Sequence, residues 1–221
     1  MAVTLLEQGA DANHHDEDET ILCRAIRGRN ADTRGELVRA LINHGADVNQ
    51  KEDIFSPLYF AIMRSDAGVV QSLIDGGANE ALDDALRVAI ERDQAAIVEM
   101  LIPKVKDINV DGERASSFLI ACCEAFRLKG RQEEGSAPLG LATAHLLLDA
   151  GASPKGAPGQ RDTPLEQAIA HDFSELAALL CERGADVTED ANVHVAPNAK
   201  STLDLVAAGA VVDARNERGE T

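Results

Sequence analysis

The fold can be predicted from one short motif, Leu41-Ile42-Asn43-His44-Gly45-Ala46-Asp47-Val48-Asn49. Two large apolar residues are followed by two polar residues, and Gly-Ala comes directly after them. This order is typical of the end of a buried helix, because glycine accepts the left-handed backbone conformation that closes a helix at little cost. The motif therefore predicts a helix that ends just before Gly45.

The first part of this motif recurs along the chain. Further copies begin at Leu5, Leu73, Leu147 and Leu180, and a weaker copy without Gly-Ala begins at Leu101. Successive copies start 36, 32, 28, 46 and 33 residues apart. Spacings of this size indicate a repeated supersecondary unit, and most of their variation must lie in loops.

A second motif lies between successive copies of the first. It has Ser, Thr or Asp, often followed by Pro, and then a large apolar residue with Ala three places later. The polar residue can accept bonds from free helix N–H groups, and Pro at the next position loses no bond. The apolar residue and Ala share one helix face, which allows close packing. Each copy therefore predicts a helix start and a buried pair. The copies are Thr20-Ile21-Leu22 with Ala25, Ser56-Pro57-Leu58 with Ala61, Asp84-Ala85-Leu86 with Ala89, Ser116-Ser117-Phe118 with Ala121, and Thr163-Pro164-Leu165 with Ala168.

Together the two motifs predict a repeat of turn, helix, turn and helix. The predicted fold class is all-α, a solenoid of stacked helix-turn-helix repeats that are connected by turns or short hairpins. No substantial sheet is expected.

These residues resemble the ankyrin repeat family, whose pattern is roughly Thr-Pro-Leu-His-x-Ala, a second helix, and Leu-Leu-x-x-Gly-Ala-Asp-Val-Asn. The segments 45–49 and 163–187 match it. The resemblance covers nearly the whole chain and implies a single ankyrin-type array over residues 1–221, with about five complete repeats. The family His is absent from the helix starts. Its positions hold Cys23, Tyr59, Arg87, Leu119 and Glu166.

Three segments depart from a regular array. Residues 1–13 are predicted to be a partial first repeat, consisting of a second helix and its exit turn. Residues 127–138 are charged, contain Gly and end in Pro, so they indicate an insertion loop on the surface. Residues 189–221 are expected to form a degenerate and truncated terminal repeat. The chain is then either a fragment of a longer array or an array that is capped by half-repeats.

The composition argues against several classes of protein. The chain has 38 Asp and Glu residues against 21 Lys and Arg, a net charge of −17. Such a charge repels phosphate backbones and anionic lipid, so we expect neither a nucleic-acid nor a membrane-surface binder. No apolar stretch reaches the ~20 residues of a membrane span, and no signal peptide is expected. The four cysteines are expected to be free thiols, and together with them these features fit an intracellular, cytoplasmic location best.

The sequence carries few residues in a pattern that indicates chemistry. It has neither a Gly-rich phosphate loop nor a Gly-x-Ser-x-Gly elbow, so we expect no enzymatic activity and no cofactor. The segment His14-His15-Asp16-Glu17-Asp18-Glu19 could supply metal ligands, but it lacks a spacing that fixes a geometry, and no metal site is predicted. At least one of the thiols of Cys122 and Cys123 is expected to fill the core rather than to react.

The family resemblance implies that a partner binds to the turn tips and to the concave-facing ends of the first helices. We expect a strip centred on Ile54, Phe55, Met63, Arg64 and Arg92. Alternatively, Phe55 folds back onto its neighbour. We expect Phe55→Ala and Arg64→Ala to weaken partner binding while leaving the melting temperature nearly unchanged. The candidate partner-binding residues are Ile54 and Phe55 at a turn tip, and Arg27, Met63, Arg64, Glu91, Arg92, Glu124 and His171 at helix ends.

Two functions fit these observations. The first is a monomeric protein-interaction scaffold or adaptor without catalysis, whose partner carries basic patches. The alternative is a regulatory or targeting segment of a larger protein that packs against a neighbouring domain of its own chain. If the insertion at 127–138 were the binding site instead of the concave face, changes in that loop would abolish binding.

Overall fold

The computed structural model describes residues 2–16, 19–109, 118–129, 140–156, 163–171 and 173–185. It divides into two compact units, Met1–Val88 (unit 1) and Ala89–Thr221 (unit 2). Unit 1 contains α1 (Ala2–Glu7), β1 (His15–Asp16), β2 (Glu19–Thr20), α2 (Ile21–Arg27), α3 (Ala31–Asn43), α4 (Pro57–Met63), α5 (Ala67–Asp75) and most of α6 (Leu82–Glu91). Unit 2 contains the end of α6, α7 (Ala95–Leu101), a 3-10 turn (Ile102–Lys104), α8 (Phe118–Lys129), α9 (Leu141–Asp149), α10 (Pro164–Ala170) and α11 (Ser174–Glu182).

The helices of unit 1 form two layers. The first helices α2 and α4 pack on each other, and the second helix α3 packs against α1 and α5. Within one repeat, α2 contacts α3, and α4 contacts α5. The short hairpin of β1 and β2 is antiparallel and precedes α2. The layered helix pairs confirm the predicted repeat of turn, helix, turn and helix.

Unit 2 repeats this arrangement. Its first helices α8 and α10 pack on each other, and its second helix α9 contacts both α7 and α11. Helices α8 and α9 form one pair, and α10 and α11 form the next. The fold is therefore an all-α solenoid of ankyrin type, as the sequence predicts.

The predicted apolar pairs are the core of the first helices. The large residue of each pair is at most 2% exposed, and its Ala partner is buried as well. Because Ala leaves a facing helix room to approach, these small residues favour the close packing of α2 on α4 and of α8 on α10. The pairs are Leu22 and Ala25, Leu58 and Ala61, Leu86 and Ala89, Phe118 and Ala121, and Leu165 and Ala168.

The capping residues of three first helices are confirmed. The Thr20 hydroxyl accepts a bond from the Cys23 N–H at 3.0 Å, and the Ser56 hydroxyl accepts one from Tyr59 at 3.2 Å. Thr163 forms a reciprocal box with Glu166, whose carboxylate accepts the Thr163 N–H at 2.7 Å. Glu166 stands where the family has His, so at this repeat a carboxylate takes part in the N-terminal cap.

The helix start predicted with Asp84 as its N-cap is wrong by three residues. Helix α6 begins at Leu82, which places Asp83 and Asp84 in its first turn. Carboxylates in a first turn are favourable because they lie near the positive end of the helix dipole. In the sequence, an acidic residue of the first turn therefore looks like an N-cap residue, although it already belongs to the helix. The Ser116 cap lies outside the described residues.

The glycines of the first motif close the second helices as predicted. Gly9, Gly45, Gly77, Gly151 and Gly184 all have φ between 85° and 94°. The Ala after each Gly donates its N–H to the carbonyl of the Leu that begins the motif, at 2.9–3.0 Å. These bonds satisfy carbonyls that the helix end would otherwise leave free.

Asparagine side chains join the turns of successive repeats. Asn13 donates to the Gly45 carbonyl at 2.8 Å and accepts from the Asp47 N–H at 2.7 Å. One repeat later, Asn49 donates to Gly77 at 3.2 Å and accepts from Asn79 at 2.9 Å. In unit 2, Asn109 accepts from the Ser153 N–H. We call these bonds the asparagine bridges.

The irregular segments are only partly described. Helix α8 extends through Lys129, so residues 127–129 of the predicted insertion continue a helix. Residues 130–138 and the predicted terminal repeat at 189–221 lie outside the described residues. Within the described part of the chain, every helix is too short or too polar to cross a membrane.

Candidate functional site

Unit 1 contains a cleft of about 630 Å³ at the turn tips and the ends of its first helices. It has charged residues from two successive repeats on its walls and two phenylalanine rings. The residues that line it are Asp16, Glu19, Arg24, Arg27, Glu52, Asp53, Phe55 and Phe60.

Helix α2 and the hairpin before it supply one wall. Arg24 and Arg27 are three residues apart and therefore lie on one helix face. Arg24 contacts the carboxylates of Asp16 at 2.9 Å and Glu19 at 3.0 Å. These two bonds raise the pKa of Arg24, and the side chain is exposed. Arg27 binds the other oxygen of Glu19 at 2.8 Å.

Glu52, from the next repeat, bonds to two residues of this wall. Its side chain is only 8% exposed, and its carboxylate pairs with Arg27 at 2.5 Å. It also accepts the Thr20 N–H at 2.8 Å, so the buried charge has both a counterion and a backbone donor. The Arg27 guanidinium lies 4.0 Å from the centre of the Phe60 ring. Arg27 is therefore held by two carboxylates and one aromatic ring.

A tight turn presents the next two residues of the cleft rim. The backbones of Glu52 and Phe55 exchange two hydrogen bonds of 2.9 Å. Asp53 has φ of 52°, a left-handed conformation that Asp adopts more readily than most residues. Ile54, at the tip of the turn, is 79% exposed. An apolar side chain of this size is therefore held out in solvent by a closed turn.

Phe55 is half-buried, whereas its neighbour Ile54 is exposed. Its ring stacks on Tyr59 with 4.4 Å between centroids and 25° between planes, and it lies 6.0 Å from Phe60. Of the two interpretations of Phe55, the structure shows the one in which it folds back onto its neighbours. Half the aromatic residues of the chain are in this cluster. The cluster gives the cleft a rigid aromatic wall.

Arg64 also has a structural role. Its guanidinium donates to the carbonyls of Arg27 and Gly28, both at 2.7 Å, and so caps the end of α2. Replacing Arg64 or the stacked Phe55 with alanine removes contacts within unit 1. The expectation that these changes leave the melting temperature unchanged is therefore revised to a decrease. Met63, at the end of α4, is 39% exposed.

The remaining predicted residues belong to unit 2. Arg92 and His171 are exposed directly after the last residues of α6 and α10, and Glu91 is half-buried. Glu124 is exposed as well, but it lies in the middle of α8, so its predicted place at a helix end is wrong. The His171 ring lies 5.8 Å from Phe173. The prediction that Arg92 continues the strip of Ile54, Phe55, Met63 and Arg64 stays a prediction.

Sequence reasoning missed several residues of the cleft. The three-residue spacing of Arg24 and Arg27 could have identified Arg24, and Phe60 follows Tyr59 directly. Glu52 left no signal in the sequence, because its position depends on a bond to the Thr20 backbone 32 residues earlier.

The described residues offer little reactive chemistry. Burial raises the pKa of Cys23 and of Cys123 to about 12 and that of Cys122 well above its usual value. These three buried thiols are protonated at neutral pH and are weak nucleophiles. This confirms that Cys122 and Cys123 fill the core. Among the described residues, no group of three or more His, Cys, Asp or Glu side chains is arranged to hold a metal ion.

Comparison with known proteins identifies the repeat. A family model described as ankyrin repeats in three copies matches residues 1–84 and 36–114, just over half of the chain. The chain belongs to the ankyrin repeat family. Ankyrin repeats are in general non-catalytic modules that bind other proteins.

Two curated relatives extend the match. Human ankyrin repeat and SOCS box protein 16 is 27% identical over 188 residues, which are 82% of this chain and 40% of that protein. BRCA1-associated RING domain protein 1 of Caenorhabditis elegans is 32% identical over 98 residues, which are 42% of this chain and 13% of that protein. This ankyrin repeat chain thus spans less than half the length of either relative.

Solved structures share its fold. The ankyrin repeat domain of human ASB11 has a TM-score of 0.70 at 21% identity and covers 94% of this chain and 91% of its own. That of Bcl-3, a member of the IκB protein family, has a TM-score of 0.69 at 23% identity, with 92% and 90% covered. An ankyrin repeat domain of Acinetobacter baumannii has a TM-score of 0.64 at 26% identity, with 83% and 91% covered.

Proposed function

We propose that this ankyrin repeat chain is a scaffold or adaptor that binds a protein partner through the concave cleft and the turn tip of unit 1, without catalysis, cofactor or metal. The observation that carries the proposal is the exposure of Ile54 beside the aromatic wall of Phe55 and Phe60. Met63 and Arg64 extend this surface along α4.

The energetics favour a contact at this point. Covering an exposed isoleucine contributes about 1.5–3 kcal/mol to binding, because its apolar surface leaves water. The side chain is presented by a turn that two backbone bonds close, so little freedom is lost on binding. Binding energy in protein interfaces is concentrated in a few such residues.

The charge of the chain favours a partner with basic patches. At a net charge of −17, the protein attracts cationic surfaces and repels copies of itself. We therefore propose a monomer whose partner is basic where it meets the cleft. We place it in the cytoplasm because its cysteines are free thiols, which a reducing compartment preserves.

The lengths of the curated relatives support the alternative function. Both relatives are more than twice as long as the part that matches this chain. In the alternative, the array is a regulatory or targeting segment, and the surface around Ile54 packs against another domain of its own polypeptide.

Site-specific photocrosslinking separates the two functions. The photoreactive residue benzoylphenylalanine is placed at Ile54 or Met63, and at Glu36 as a control, because Glu36 is exposed on the second helix α3 of the same unit. Mass spectrometry then maps the crosslinked peptides after irradiation in cells of the source organism. The proposal expects Ile54 and Met63 to crosslink to one shared protein and Glu36 not to reach it. Crosslinks to the same polypeptide establish the alternative, and equal products at Glu36 contradict both.

A further inference from the structure

We propose that the cleft of unit 1 binds an arginine side chain of an extended partner segment, and that an apolar residue next to this arginine covers Ile54. This inference rests on the proposed function and names the chemistry of the segment that the partner contributes.

The charges of the cleft favour a cation. Four carboxylates and two guanidinium groups line it. Arg24 and Arg27 each contact two of these carboxylates, so an anion would have to compete for both guanidinium groups. The Asp53 carboxylate forms no ion pair or hydrogen bond with any residue in the described part of the chain. It stands at the rim, where an incoming cation would meet it first.

The way in which Arg27 is held indicates which cation fits. Its guanidinium lies over Phe60 and is flanked by the carboxylates of Glu19 and Glu52. The cleft also contains Phe55, whose ring lies 6.0 Å from Phe60, and the Asp53 carboxylate two residues before it. A planar guanidinium can stack on a ring and pair with a carboxylate at the same time, whereas an ammonium group does so less well. Arginine is therefore preferred over lysine.

The exposed Ile54 side chain determines what kind of residue lies next to the arginine in the partner segment. It lies between Asp53 and Phe55 in the turn, and it is the most exposed large apolar side chain among the described residues. A partner residue that covers it must be apolar and close to the arginine, since Asp53 and Ile54 are adjacent. The segment is therefore a basic residue beside an apolar one rather than a long basic tract.

Peptide binding tests the proposal directly. The probe is a short fluorescein-labelled peptide with one arginine next to one leucine among alanine and serine residues, and binding to the full chain is followed by fluorescence anisotropy. Three matched peptides replace arginine with lysine, arginine with citrulline, or leucine with serine. Citrulline keeps the shape of arginine and removes its charge. We expect the citrulline and serine peptides to bind about three to ten times more weakly, with the lysine peptide between.

Variants locate the contact on the protein. Asp53→Asn removes one charge, and Asn tolerates the positive φ at this position. It should weaken the arginine peptide about threefold and leave the citrulline peptide unchanged. Its control is Glu36→Gln, which makes the same charge change on α3. Ile54→Ser should weaken the leucine peptide about tenfold. Its control is Leu5→Ser on α1, where the leucine is 52% exposed.

Each outcome decides the proposal. If arginine and citrulline peptides bind alike, or if Glu36→Gln and Leu5→Ser have the same effects as the cleft variants, the proposal is wrong. Melting curves of all four variants show whether they are folded. If photocrosslinking at Ile54 captures a protein whose binding is unaffected by Asp53→Asn, the proposed function stands and this inference fails. If photocrosslinking captures no shared protein, the proposed function fails as well.

Discussion

Single residues with positive φ hold several turns of this array, and not all of them are glycine. Asp53, Ser65, Ala81 and Asp93 have φ between 52° and 55°. Asp93 uses this conformation to accept bonds from the Gly140 N–H at 2.9 Å and the Thr143 hydroxyl at 3.2 Å, at the start of α9. A side chain that makes such bonds compensates for backbone strain. Ala81 has no polar side chain to do so.

Ala81→Gly is therefore expected to raise the free energy of unfolding. Relief of the left-handed strain contributes about 1–2 kcal/mol, and the greater freedom of glycine in the unfolded chain offsets about 0.4–1 kcal/mol. Urea denaturation should show a net gain between zero and about 1.6 kcal/mol. The control, Ala96→Gly at an exposed position in the first turn of α7, should lose up to about 1 kcal/mol. A loss at both positions would contradict strain at Ala81.

Because the thiols are buried, we expect the free energy of unfolding to fall at high pH. Burial chiefly raises the pKa of Cys23 from about 9.0 to about 12. The folded state then holds the proton more tightly than the unfolded chain. The contribution is complete below pH 9.0 and is lost as the pH rises towards 12. Denaturation between pH 8 and pH 11 should therefore show a smaller decrease in Cys23→Ala than in the unchanged protein. An identical decrease would contradict the raised pKa.

At the scale of the helix, the alanines of the first helices set the packing distance. Ala61 and Ala168 have no exposed surface. Replacing either with leucine is expected to cost about 1–3 kcal/mol, because the larger side chain forces the neighbouring first helix away. Chemical denaturation measures the cost. Ala170→Leu, at an exposed position of α10, is the control and should be nearly neutral. No cost at either buried site would mean that the repeat register is wrong.

The asparagine bridges join elements of neighbouring repeats. Asn49→Ala removes its bonds to Gly77 and Asn79 together and leaves turn groups without their partners. The expected loss is about 1–3 kcal/mol in thermal or urea unfolding. Asn43→Ala, at the exposed end of α3, is the matched control, and it should change stability by less than about 0.5 kcal/mol. Equal losses in both variants would show that the bridges contribute nothing specific.

Helices were predictable because their signals are local. Thr20, Ser56 and Thr163 act on N–H groups three residues away, and Gly45 acts on the helix that it ends. Asp84 misled the prediction because an acid is favourable both as a cap and within a first turn. Glu52 could not be predicted, since a glutamate in a turn is ordinarily solvated, and only the distant Thr20 backbone and Arg27 bring it into the protein.

At the scale of the whole molecule, charge should control association. A chain with a net charge of −17 attracts a basic partner over distances that salt shortens. Once the partner is identified, stopped-flow measurements should show the association rate falling by about tenfold or more between low and physiological ionic strength. The dissociation rate should change much less, because short-range contacts determine it. A flat association rate would exclude a basic partner.

The surface was predictable in outline and not in detail. Register along the repeats identified the turn at Asp53–Phe55, and the structure places Ile54 at its tip. The same reasoning treated Phe55 and Arg64 as free side chains, because the stacking on Tyr59 and the capping of α2 depend on how two repeats meet. Contacts between repeats are thus what sequence motifs leave undetermined.

The asparagine bridges also bear on how the chain is made. Asn13 reaches Gly45, 32 residues later, and Asn49 reaches Gly77, 28 residues later. Each repeat of unit 1 therefore finds its bonding partner in the segment synthesised immediately before it. At about 5–20 residues per second, a ribosome adds the 28–32 residues that separate the bonded groups in about 1–6 seconds. Folding of unit 1 can therefore keep pace with translation. Little apolar surface is then exposed to solvent while the rest of the chain is synthesised.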